Sequence, residues 1–145
     1  MVAIETNQKT LRKQIVTFET LAVEENIVKI CNLVKDSIKD YEVDYKKIDR
    51  ALKEALKNVC IYAYSDNKGK IYTSIFISND TNLEIEIKDL GCGIKDVNQA
   101  VEMFYSTKKE RKGMGFTCMK VLSKEVIVDS VEGRGTIVTL KFKTF

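Results

Sequence analysis

Histidine is absent from the 145 residues, which removes imidazole acid–base chemistry, a phosphohistidine and most zinc sites together. Cysteine is sparse. Cys31, Cys60, Cys92 and Cys118 are far apart and form no CxxC pair, so free thiols are expected rather than a metal knuckle or redox motif. No apolar run approaches the roughly 20 residues that a membrane helix needs, and the polar start MVAIETNQKT does not read as a signal peptide. Charge of one sign is also lacking. The balance of 24 Lys+Arg against 21 Asp+Glu leaves +3, too even for nucleic acid or an anionic membrane to be the main partner. No repeat, low-complexity tract or Gly/Ser linker divides the chain, so residues 1–145 are expected to form one domain, located in the cytoplasm. What is present is ordinary globular composition, 44% hydrophobic and 31% charged. A chain of this length buries roughly two-thirds of its unfolded surface and folds without staples.

Periodicity places the elements. From Glu24 to about Lys39, Ile27, Ile30, Cys31, Val34 and Ile38 recur at helical spacing. A second helix starts near Asp44, with Ile48, Leu52, Ala55, Leu56, Val59 and Cys60 on one side. SDNKG at 65–69 and NDTN at 79–82 have turn composition and bracket a β-rich segment, Ile71–Ser78. Leu83–Lys88 alternates strictly, with Leu83, Ile85 and Ile87 on one face and Glu84, Glu86 and Lys88 on the other. That pattern predicts a half-buried antiparallel strand in a hairpin with the preceding segment. A glycine-punctuated region, Asp89–Gly115, leads into a predicted helix over Phe116–Ser123. Val126–Ser130, the turn VEGRG and Thr136–Phe142 make a closing hairpin, and Lys13–Glu19 is a candidate first strand. The sum is an α+β two-layer sandwich, with helices against one face of a largely antiparallel, mixed sheet.

Three constellations carry chemistry. Glu54 and Asn58, in ALKEALKN, lie about 40° apart on one flank of a helix. A carboxylate there can take a proton from a nucleophile, and an amide oxygen one turn away can ligate a hard cation. The alternative is a solvated surface pair. Asp89-Leu90-Gly91-Cys92-Gly93 follows the alternating strand. Its glycines let backbone approach a ligand, and its Asp can accept from an exocyclic amine. The alternative is a plain turn. It is neither GxGxxG nor GxxxxGK[ST], so no Rossmann or P-loop reading follows. Finally, Ser106-Thr107-Lys108-Lys109-Glu110-Arg111-Lys112-Gly113-Met114-Gly115 runs straight into a helix. Glycines at a helix start expose N–H groups to phosphate, and the cations neutralise it. A mobile charged loop, or a weak nucleic-acid patch, is the alternative.

The order of these signals matters more than any one of them. ExxxN on a helix, DxGxG after a strand, a basic lid and GxG opening a helix together resemble the GHKL, or Bergerat-fold, ATPases. Within that group the chain is most similar to the small bacterial anti-sigma factor serine kinases, especially the sporulation anti-sigma-F type. EALKNVCIYAY, IEIKDLGCGIKD, YSTK, ERKGMGFTCMKVL and the late GRGT carry the resemblance, which spans about Phe18 to Phe142. It implies that Glu54 is the general base and that Asn58 ligates Mg²⁺. It implies that Asp89 meets the adenine amino group of ATP in a pocket shaped by Gly91 and Gly93. The backbones of Gly113 and Gly115 would meet the phosphates, Thr107, Lys108 and Arg111 would be lid contacts, and Thr136 would lie near the adenine. Three features depart from the family pattern. Tyr62-Ala63-Tyr64 stands where His-Gly-Tyr is common, the lid is about two residues shorter and lacks a proline, and the N-terminal region matches poorly around Lys29.

The resemblance therefore implies an ATP-dependent protein serine kinase and anti-sigma factor. It would phosphorylate an anti-anti-sigma protein, sequester a sigma factor and form a homodimer. Two other readings stay open: a switch kinase of a stress-signalling complex that does not bind sigma, and a nucleotide-dependent binding module with little phosphoryl transfer. Both Glu54 and Asn58 are present, which speaks against a pure binder. A sensor histidine kinase is disfavoured for want of an acceptor His.

Overall fold

A computed structural model describes residues 11–66, 68–79, 82–97 and 112–145. The helices form where the periodicity puts them: α1 over Asn26–Ser37 and α2 over Tyr45–Asn58. Asp44 caps α2, its carboxylate accepting from the Lys47 N–H at 3.3 Å. The strands are β1 (Arg12–Leu21), β2 (Lys70–Ser78), β3 (Asn82–Asp89), β4 (Glu125–Val131) and β5 (Gly135–Lys143). They form one five-stranded sheet in the order β1-β2-β3-β5-β4. Every pairing between described strands is antiparallel, so the mixed element of the expectation finds no counterpart among them.

Alternation along each strand decides what faces the helices. Cross-strand rows on the inner face read Val16–Ile75–Ile85–Leu140–Val126 and Phe18–Thr73–Ile87–Val138–Val128. Against them pack Ile30 and Val34 of α1 and Ile48, Leu52 and Leu56 of α2, all fully buried. Each such side chain contributes roughly 1.5–3 kcal/mol. The next inner row is different in kind. Ile71, Asp89, Thr136 and Ser130 stand side by side across β2, β3, β5 and β4, so the apolar layer turns polar at one end of the sheet.

Two local expectations change. Glu84 lies on the outer face yet is buried, at 5% exposure. Its carboxylate sits 3.1 Å from Arg12 and 3.9 Å from Lys141, and the Arg12 guanidinium stacks 3.8 Å over Phe76. The neighbouring strands thus roof over a charge that alternation alone assigns to solvent. The last helix, α3, spans Lys112–Leu122 and begins four residues before the expected Phe116. Gly113 and Gly115 are therefore inside its first turns, not ahead of it.

Candidate functional site

The end of α2 organises the site. After Asn58 the helix widens into a π turn over Val59–Ala63, and Tyr64 leaves in extended conformation. This is how the unusual Tyr62-Ala63-Tyr64 ends the helix. The Ala63 carbonyl accepts the Cys92 N–H at 2.8 Å, and the Tyr62 carbonyl accepts from the Cys92 thiol at 3.4 Å. Gly91 lies so close that a Cβ there would stand 2.0 Å from the Ala63 oxygen. Only glycine permits that approach. The Tyr64 hydroxyl donates to the Lys70 carbonyl at 2.6 Å and accepts the Leu90 N–H at 2.8 Å. The π turn and Tyr64 together hold the loop after β3 against the end of the helix. π turns of this kind are frequent at functional sites.

The β4–β5 hairpin holds the same loop from its other side. Gly133 N–H donates to the Cys92 carbonyl at 2.7 Å, and Ile94 N–H to Ser130 Oγ at 2.7 Å. Gly93 has φ +70° and Gly135 has φ +127°. A Cβ on Gly93 would lie 2.2 Å from the Val131 carbonyl, and one on Gly135 would lie 2.1 Å from that of Asp89. At its root sits Asp89, 6% exposed. Its carboxylate accepts the Gly91 N–H at 2.9 Å. Burial pushes the Asp89 carboxyl above the usual range, and the N–H groups of Gly91 and Thr136 partly oppose that shift.

The third constellation meets the first across a helix–helix contact. A Cβ on Gly115 of α3 would stand 3.2 Å from Glu54 Oε1 and 3.8 Å from both amide atoms of Asn58. Glycine in α3 therefore lets the helix lie closely over the Glu54–Asn58 turn. Glu54 keeps a long contact with Lys57 Nζ at 3.6 Å. The Asn58 amide has no hydrogen-bond partner among the described residues. Among those residues no three His, Cys, Asp or Glu side chains group to hold a metal.

Between these elements lies a cavity of about 280 Å³. Ala55, Val59, Ala63, Ile94, Phe116 and Val138 give it apolar walls, and Asn58, Asp89 and Thr136 supply polar atoms. Apolar walls with one buried carboxylate suit a heteroaromatic ring bearing an amine. Of the residues singled out from sequence, Asn58, Asp89, Gly93 and Thr136 line the cavity; Gly115 lies close to Glu54 and Asn58, Gly91 packs on Ala63, and Gly113 is in the first turn of α3. Thr107, Lys108 and Arg111 lie outside the described residues. Sequence reasoning missed Tyr64, Phe116 and Ser130. Ser130 carried a signal, since it interrupts an inward series that begins with Val126 and Val128.

The model of the family described as histidine kinase-, DNA gyrase B- and HSP90-like ATPase matches residues 43–144. The anti-sigma F factor of Clostridium acetobutylicum is 38% identical over 104 residues, covering 70% of this chain and 71% of that one. The anti-sigma F factor of Caldanaerobacter subterraneus subsp. tengcongensis is 40% identical over 95 residues, covering 64% and 66%. Among solved structures, the RsbU and RsbW domains of a Mycobacterium tuberculosis protein superpose with TM-score 0.63 at 15% identity, over 89% of this chain and 32% of that one. The histidine kinase domain of a blue-light-activated kinase from Erythrobacter litoralis gives 0.55 at 18% identity, over 81% and 59%. No helix among the described residues is long and apolar enough to cross a membrane.

Proposed function

Since the chain belongs to the histidine kinase-, DNA gyrase B- and HSP90-like ATPases, and within them to the anti-sigma F factors, we propose that it is an ATP-dependent protein serine kinase that binds a sigma factor. Its acceptor is a seryl hydroxyl of an anti-anti-sigma protein, and it works as a homodimer. The carrying observation is the close approach of Gly115 to Glu54 and Asn58, beside the cavity that Asn58 and Asp89 line. The closeness of Gly115 to Glu54 and Asn58, and of Asn58 to the cavity with Asp89, supports reading the three as base, cation ligand and base-reading carboxylate. In this reading Asp89 accepts from the adenine amine while Gly91, Gly93 and Thr136 shape the pocket. Asn58 holds Mg²⁺ against the phosphates, near the backbones of Gly113 and Gly115, and Glu54 takes the proton of the attacking hydroxyl. Thr107, Lys108 and Arg111 complete the nucleotide contacts. The bound cation would neutralise phosphate charge, and the protein's own share is orientation and proton acceptance.

The test uses purified chain, Mg²⁺ and γ-labelled ATP, with the anti-anti-sigma and sigma proteins from the same cell. Label should appear on a serine of the former. Light scattering on the same mixture should show a dimer that holds sigma when the antagonist is phosphorylated. Label that stays as free phosphate overturns the kinase assignment, and a monomer overturns the dimer.

Gly115→Ala separates stability from chemistry. Gly115 has no positive φ, so alanine fits the helix and adds about 0.5–1 kcal/mol. Its methyl group would press on a flexible carboxylate end 3.2 Å away. The variant should melt a few degrees higher by calorimetry and transfer phosphate on the order of ten- to a hundredfold more slowly, because the base is displaced. A wild-type transfer rate would show that the lack of a Cβ beside Glu54 has no catalytic use.

A further inference from the structure

Ser130 occupies the β4 position of the polar row, and its hydroxyl contacts three groups. Ile94 N lies at 2.7 Å, the Gly135 carbonyl oxygen at 3.1 Å and Thr136 Oγ1 at 2.7 Å. Distance alone leaves the direction of the last bond open, but the other two settle it. A backbone N–H only donates, so Ser130 accepts from Ile94. A carbonyl only accepts, so the single Ser130 hydrogen goes to Gly135. Nothing remains for Ser130 to donate to Thr136, and the Thr136 hydroxyl must donate to Ser130. Reversing it would leave the Gly135 oxygen facing lone pairs in a part-buried site.

The consequence reaches the cavity, which both Asp89 and Thr136 line. With its hydrogen committed, Thr136 Oγ1 turns only lone pairs outward. The Asp89 carboxylate next to it, already accepting the Gly91 N–H, likewise has only lone pairs to offer. We propose that Ser130 is a positioning residue that determines nucleotide specificity. By fixing the Thr136 hydroxyl it leaves the Asp89–Thr136 row with hydrogen-bond acceptors alone, so that the cavity takes a purine with a 6-amino group and rejects the 6-oxo counterpart. This rests on the nucleotide reading above. An amine has two hydrogens for two acceptors, whereas an oxo group in the same place meets only lone pairs. A site built for one hydrogen-bonding pattern discriminates strongly against its inverse.

The probes are ATP and ITP, which differ in the group at that ring position, titrated into the full chain by calorimetry. Wild type should prefer ATP. In Ser130→Ala the Thr136 hydroxyl is free to rotate and donate to the oxo group, so the preference should shrink about tenfold, the worth of one hydrogen bond. Ser130→Thr keeps the hydroxyl and should restore it. A merely structural role would weaken both nucleotides equally and leave the ratio alone. Thr136→Val guards against a Ser130→Ala chain that fails to fold: it should lose about tenfold for ATP and nothing for ITP. Equal binding of ATP and ITP by wild type, an unchanged ratio in Ser130→Ala, or equal losses in Thr136→Val would each overturn the assignment. Failure of wild type to bind ATP at all would instead remove the nucleotide reading.

Discussion

Glu54→Gln is expected to bind Mg²⁺–ATP as wild type does while losing about 10²–10⁴-fold in phosphoryl transfer to the anti-anti-sigma protein. Glutamine keeps the length, the helix preference and the place beside Gly115, but it accepts no proton at neutral pH. The partly exposed contact with Lys57 is of a kind worth at most ~1 kcal/mol, so the fold should survive. A seryl hydroxyl is a weak nucleophile, and a positioned base is what the altered chain would lack. Asn58→Ala gives the contrast. It removes the amide that lies beside Gly115 and has no hydrogen-bond partner among the described residues, so it should weaken Mg²⁺-dependent binding as well as turnover. Single-turnover transfer at saturating ATP distinguishes the two. If Glu54→Gln transfers at the wild-type rate, another group is the base.

Asp89→Asn should reduce ATP affinity by roughly one to two decades, since a buried base contact is replaced by an amide whose N–H₂ faces the ligand's own amine. Its effect on the free protein has the opposite sign. The folded Asp89 carboxyl is raised above its ordinary 3.8, chiefly by burial. A raised acid contributes stability at low pH, and that contribution is lost as pH rises through the folded value. At neutral pH the charged side chain therefore costs stability, and asparagine removes the cost while its oxygen still accepts from Gly91. Without nucleotide the variant should melt no lower than wild type at pH 7, and its stability should change less than wild type's as pH rises from about 3.8. A destabilised free protein would mean that the Asp89 charge holds the loop together rather than reading a ligand.

How much of this was legible in the chain varies with the range of the interactions. The alternation of Leu83, Ile85 and Ile87 and the stripe of α2 depend on neighbours two to four residues away, and both elements stand where the pattern puts them. Glu84 escaped because its partners are Arg12 and Lys141, which no local window contains. The start of α3 was displaced because glycine disfavours helix. Here tertiary packing overrides that preference, α3 bringing Gly115 close over Glu54 and Asn58. The π turn left no trace in VCIYA. It is visible only through the carbonyls it presents to the loop after β3. The motifs ExxxN, DxGxG and GMG named the residues that gather, but the Ser130–Thr136 bond that orders the row required the register of β4 on β5.

That π turn has a consequence for chain length. Asn58 marks one end of the candidate site and Ala63 the other, where its carbonyl anchors Cys92. The residues between them are a covalent spacer that fixes how far the Asp89 loop stands from the Glu54–Asn58 turn. Removing one would regularise the helix and swing the Ala63 carbonyl about 100° away from the Cys92 N–H. The β4–β5 tip is tied to the same loop, the Gly133 N–H holding the Cys92 carbonyl at 2.7 Å. Insertions and deletions in homologous chains should therefore avoid Asn58–Ala63, where the count of residues, more than their identity, is what the site requires.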